Sequence, residues 1–272
     1  LIKKYGIDSV HPNKEGYILM SQLLEKAIDS AILPKAKEID KFSSRVWKNN
    51  ESEKLNYRLR YPENFNSEKK YPLLLFLHGS EGRDNDNEQQ LWDASGICAL
   101  SKQKIATKHE SFIFAPQVPA NERWVSTNWN TDNYRLVPIS SSMRLRFEAL
   151  ESFIDNNKNI DENRIYVLGL SMGGWGAWDA ISRRPNFFAA AVPICGGGDP
   201  EQAIYFKDVN IWAWHGEQDN VIDVKKSQDM VQALVKVKGN IKYSEIKVRG
   251  HDSWLDVWNS NDLWNWLYNQ RK

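Results

Sequence analysis

Residues 164–178 read "RIYVLGLSMGGWGAW" and place Gly169, Ser171 and Gly173 in the spacing G-x-S-x-G. The run up to Leu170 predicts a strand and the residues from Gly174 predict a helix. The pentapeptide therefore falls at a strand-to-helix turn, the context in which it forms a nucleophile elbow. Small residues around the serine let the backbone turn sharply and hold the hydroxyl at the tip. The helix N-terminus beneath it favours negative charge developing there. A glycine-rich turn with an incidental serine is the competing reading, and the agreement of strand, glycine pair and helix favours the nucleophile.

A serine hydroxyl needs a general base to become a nucleophile, and the base needs an orienting acid. On this kind of elbow the partners follow in the order serine, acid, histidine. Of His11, His78, His109, His215 and His251, only the last two follow Ser171. His215 ends a strand in "WAWHGEQD", ahead of any acid in that loop, so chain order selects His251 in "RGHDSW". Asp219, in the loop just past the strand "IWAWHG", is the expected acid, with Asp223 in reserve and Glu217 behind it. Asp179, Asp229 and Glu245 fall inside predicted elements, where a loop acid is not expected.

Acyl transfer through a tetrahedral intermediate also calls for two donors facing its oxyanion. The backbone N–H of Met172, directly after the serine, is one. The other is expected from the turn "HGSEGRD", at the Ser80 N–H, with Glu81 one residue away as the alternative. His78 in the same turn is expected to hold the loop rather than act as a base.

Around this centre the chain alternates strands and helices. "RVWKN" and "KLNYRLRYP" predict a hairpin. "YPLLLFLHG", "SFIFAP", "RIYVLGL", "FAAAVPIC", "VNIWAWHG" and "IKYSEIKV" are apolar runs of the kind buried on both sheet faces. Helices are predicted over Met143–Asp155, Gly174–Ser182, Val224–Val237 and Asn261–Tyr268. The alternation predicts an α/β domain with a mostly parallel central sheet and helices on both faces. The 36 Lys and Arg against 35 Asp and Glu give no charge excess to attract nucleic acid or an anionic membrane. Apolar runs are far below the roughly 20 residues of a membrane span. Cys98 and Cys195 lack metal-ligand spacing and are expected as buried thiols rather than a disulfide. "RDNDNE" (83–88) lacks the rest of a calcium-loop pattern and is expected to be a solvated loop.

In order along residues 40–272, "YRLRYPENF", "KKYPLLLFLHGSEGRDND", "FAPQVP", the elbow, "FAAAVPICGGGDP", "WAWHGEQDNVI" and "GHDSW" resemble the α/β-hydrolase superfamily. The resemblance is to its carboxylesterase branch of feruloyl and acetyl-xylan esterase-like proteins and predicted peptidases. It implies Ser171 as nucleophile, Asp219 as acid and His251 as base, without metal or organic cofactor. It also implies that Gln117 and Trp124 approach the substrate, an ester on a small molecule or polysaccharide, and that the protein is secreted or periplasmic. Glu81 departs from the family's glycine-richer oxyanion turn and would disfavour acidic substrates. A serine peptidase, an acyltransferase and an inactive carbohydrate-binding module are the alternatives, the last opposed by the intact Ser, Asp, His set.

Ahead of this domain, "DSVHPNKEGY" resembles the final block of SGNH (GDSL-type) esterases, with Asp8 and His11 at its acid and base positions. Apolar residues from Ile18 to Ile32 recur at helical spacing. Residues 1–34 are therefore expected to be the tail of an upstream esterase domain, 35–41 a linker and 42–272 the catalytic domain. Deleting residues 1–34 should leave ester turnover at the parent level, measured on a nitrophenyl ester alongside a melting curve.

Overall fold

The computed structural model describes residues 18–24, 26–27, 38–129 and 134–272, with only the backbone at 98, 103 and 104. The chain divides into two compact units, Leu1–Lys41 and Phe42–Lys272. In the first, residues 18–24 and 26–27 are helical, and Ile18, Leu23 and Leu24 are exposed. Asp8 and His11 lie outside the described residues.

The second unit is built on one eight-stranded sheet, ordered β1-β2-β4-β3-β5-β6-β7-β8. Strands β1 (Ser43–Lys48) and β2 (Lys54–Arg60) form the predicted antiparallel hairpin, and β2 runs antiparallel to β4 (Phe112–Pro116). The hairpin turn is pinned by Asn49, whose Oδ1 accepts the N–H groups of Glu51 and Glu53. From β4 through β3 (Tyr71–Leu77), β5 (Ile160–Leu170), β6 (Ala190–Ile194), β7 (Asn210–Gly216) and β8 (Ile241–Ile246) all pairings are parallel. This is the α/β-hydrolase fold.

Why the strands read as unbroken apolar runs is plain at β3. It lies between β4 and β5, and all seven of its residues are buried. Each fully covered Leu or Phe there contributes about 2 kcal/mol relative to exposure. Parallel neighbours need crossovers, which are supplied among others by α4 (Ser141–Asp155), α5 (Met172–Arg183) and α6 (Lys225–Lys236). The Ser140 hydroxyl caps α4 by accepting the Met143 N–H. Between β3 and β4 run three short helices, α1 (Gln89–Trp92), α2 (Gly96–Ser101) and α3 (Gln103–Lys108), and after β8 come α7 (Trp254–Asn259) and α8 (Asn261–Asn269). Helices α1, α2, α3 and α7 are too short to show a repeat in sequence. None of the described helices is long and apolar enough to cross a membrane.

The glycines of the elbow are required by close approach, since none of the described glycines has a positive φ. A Cβ on Gly169 would lie 2.0 Å from the Gly173 carbonyl oxygen, and one on Gly173 would lie 2.0 Å from the Leu77 carbonyl oxygen. Gly169→Ala should therefore destabilise the fold by about 3 kcal/mol or more, in the upper range for overpacking, as measured by urea denaturation.

Candidate active site

The sharp turn falls on the serine itself. Ser171 has φ 54 and ψ −118, a conformation that costs a side-chain-bearing residue about 1–3 kcal/mol. It is held by its own N–H on the Ile194 carbonyl and by its carbonyl on the Trp175 N–H, at 2.9 and 3.1 Å. Ser171 is only 6% exposed, so its hydroxyl sits in a recess rather than openly above the sheet.

Three loops at the carboxyl ends of β5, β7 and β8 meet at this hydroxyl. The Ser171 Oγ–H faces His251 Nε2 at 2.8 Å, and His251 Nδ1–H donates to Asp219 Oδ2 at 2.7 Å. The other Asp219 oxygen accepts the N–H groups of Val221 and Ile222, each at 2.9 Å. Burial opposes its ionisation, yet the hydrogen bonds from His215, His251 and these two amides hold Asp219 well below the usual carboxylate range. Such a relay can draw a proton from the hydroxyl onto His251 while a fixed negative charge steadies the imidazolium.

Beneath the relay lie two residues whose part in it chain order does not reveal. His215 is fully buried, its Nε2–H donating to the Ile222 carbonyl at 3.0 Å with Asp219 Oδ2 3.2 Å away. Cys195 lies within 3.6 Å of the His251 carbonyl and 3.0 Å of the Ser253 hydroxyl. It is a free thiol that burial pushes up to about 12. Trp254 adds an edge-on ring 5.4 Å from that of His251. Asp223, the reserve acid, instead accepts the Lys225 N–H at 2.9 Å, in a local turn just ahead of α6.

Cys195, Asp219 and His251 form the one grouping of three metal-type ligands found among the described residues, within 4.8 Å of one another. The geometry suits proton relay better than an ion: the facing Asp219 and His251 atoms already share a hydrogen bond, and the thiol is held protonated. In the "RDNDNE" run, Asp86 Oδ1 accepts the N–H groups of Glu88 and Gln89 and the Gln117 amide. That oxygen shapes the loop.

The Gly79–Ser80 turn lies against the elbow: a Cβ on Gly79 would sit 3.5 Å from that of Ser171. Val118 N–H donates to His78 Nε2 at 3.0 Å, so Nδ1 carries the proton and donates to the Gly79 carbonyl at 2.6 Å. Burial pushes His78 down to about 4, which keeps the ring neutral. His78 holds the loop. The Met172 N–H is the first of helix α5, one of the amides left without an intrahelical partner.

Gln117 and Trp124 are placed otherwise than the resemblance implies. Trp124 is fully buried and donates from Nε1 to the His78 carbonyl at 3.0 Å, leaving no ring face for a substrate. Gln117 is 2% exposed, with its amide spent on the Asn87 N–H and Asp86 at 2.7 Å each. Both brace the Gly79–Ser80 turn and the strand ends beside it, because the loop after β4 folds back on the His78 carbonyl and Asn87.

The sheet order and the strand–serine–helix turn are those of the α/β-hydrolase fold. A model of the dienelactone hydrolase family matches residues 131–246. The chain is similar to a thermostable esterase of known structure, 34% identical with a TM-score of 0.80, covering 86% of this chain and 64% of that one. It is similar to poly(3-hydroxyalkanoate) depolymerase C of Paucimonas lemoignei, 30% identical over 131 residues, which are 46% of this chain and 28% of that protein. A ferulic acid esterase structure, 18% identical, shares the fold with a TM-score of 0.62 over 84% of this chain and 98% of its own. The chain thus spans less than two thirds of the first two relatives.

Proposed function

We propose that the chain is a serine carboxylesterase acting on esters attached to carbohydrate, of acetyl or feruloyl type. The observation that carries the reading is the continuous Ser171–His251–Asp219 relay, at 2.8 and 2.7 Å, on a strained elbow. In this reading Ser171 Oγ attacks the ester carbonyl as His251 Nε2 takes its proton. The Met172 and Ser80 N–H groups receive the oxyanion. His251 then protonates the leaving alcohol, and a water deprotonated by His251 releases the acid. Similarity to an esterase and to a polyester depolymerase supports ester chemistry; the sugar-linked substrate rests on the sequence resemblance. The exposed Glu81 beside the turn favours neutral over anionic acyl groups.

Ser171→Ala should abolish hydrolysis of nitrophenyl acetate and labelling by a fluorophosphonate probe while leaving the melting curve unchanged. Turnover near the parent level would sink the assignment. An ester panel of acetylated xylan, methyl ferulate, short nitrophenyl esters and hydroxybutyrate oligomers then ranks the substrate classes, and preference for the oligomers would overturn the carbohydrate reading. Asp219→Asn should lower kcat by about four orders of magnitude, as expected when the histidine loses its orienting carboxylate. A comparable loss in Asp223→Asn with Asp219→Asn active would move the acid to Asp223.

A further inference from the structure

Between α1 and α2 the chain makes an unfavourable turn. Ala94 (φ 48, ψ 17) and Ser95 (φ 54, ψ 21) are consecutive left-handed residues that both carry side chains. The turn is anchored on each side. The Trp258 Nε1–H, on α7 just beyond the His251 loop, donates to the Ala94 carbonyl at 3.0 Å. Gly96 is packed so tightly that a Cβ would lie 2.6 Å from Phe76 Cζ and 3.2 Å from Trp258 Cζ2. Asp93, immediately before the turn, points its carboxylate inward and accepts the Gly79 N–H at 2.5 Å. The segment thus links the helix after His251 to the oxyanion turn.

The peptide units on either side of Gly79 are consequently fixed. In the first, the His78 carbonyl accepts the Trp124 indole N–H and the Gly79 N–H donates to Asp93. In the second, the Gly79 carbonyl accepts the His78 ring N–H. Since a peptide unit is planar and trans, the Ser80 N–H at the other end of that unit points the opposite way. We propose that Asp93 is a positioning residue for the reaction: its ionised carboxylate, by taking the Gly79 N–H, holds the Ser80 N–H toward the oxyanion. This rests on the esterase reading above.

Asp93 is 7% exposed. Burial raises its carboxyl to about 6, against the Gly79 hydrogen bond, with Glu81 raising it further and His251 lowering it. The neutral His78 ring bonds the Gly79 carbonyl rather than Asp93. Protonation below about pH 6 removes the charge that strengthens the Gly79 hydrogen bond. For stability the sign is the reverse. An acid whose folded value lies above its unfolded one binds more protons when folded, so stability falls as pH rises from about 4 to 6. A neutral isostere escapes that loss.

Asp93→Asn keeps the shape and an acceptor while removing the charge. At pH 8 its kcat on nitrophenyl acetate should fall about tenfold, less than for deleting an oxyanion donor outright. KM should stay within about twofold, and Tm should equal or exceed the parent's. The ratio of parent to variant kcat should decline toward one below about pH 6, where the parent also carries a neutral side chain. Any pH dependence common to both proteins divides out of that ratio. A ratio of one throughout, a ratio constant from about pH 5 to 8, or a rate loss that tracks a loss of Tm would overturn the proposal. Should the variant not fold, the parent's Gly79 amide resonance decides: it should titrate with a midpoint near 6, and an amide that does not move overturns the link. If the parent neither hydrolyses esters nor takes the fluorophosphonate on Ser171, the esterase reading fails instead, and the Gly79 titration still reports on Asp93.

Discussion

The close approach of backbone to backbone beneath Ser171 is the constraint on which the rest of the site depends. Gly169 packs on the Gly173 carbonyl, Gly173 on that of Leu77, and Gly174 on that of Ile194. No side chain fits at any of these contacts, so β5 and α5 can meet only at the angle that forces Ser171 into its unusual conformation. The strain is carried because β3, β6 and the Ile165–Leu170 part of β5 are buried and cannot yield. The rigid, buried centre of the sheet therefore fixes where one hydroxyl is held.

Electrostatics at the site follows from the same burial. Asp219 stays charged in a recess because two backbone amides and two imidazoles converge on its carboxylate. Cys195, deeper still, stays a neutral thiol because burial and the nearby Asp219 and Asp252 charges disfavour its ionisation. His78 is likewise neutral, and its fixed tautomer holds the Gly79 carbonyl. Each group's charge state follows from how many hydrogen bonds its burial leaves it.

Residues that act through local motif or chain order are legible in the amino-acid sequence. The elbow, the order Ser171, Asp219, His251, and the alternation of strands and helices all depend on neighbours in sequence or on a topology that strands and helices nearly dictate. The positions of Gln117 and Trp124 are not legible there, because their side chains are spent on partners 30 or more residues away, on Asn87, Asp86 and the His78 carbonyl. Asp93 gives no signal for the same reason. It lies on a connection of short helices with no repeat, and its partner, Gly79, is 14 residues distant across a turn.

The amino-acid sequence by itself determined the fold class, the elbow and the succession of the relay, because apolar periodicity and glycine spacing act over a few residues. Only the tertiary structure decided which polar groups share a recess. It set Asp219 between two histidines, turned Trp124 inward and brought Asp93 onto Gly79. Those contacts depend on how loops from β3, β4, β7 and β8 converge at one sheet edge, and the distance between loops is fixed by strand register and burial rather than by the spacing of residues along the chain.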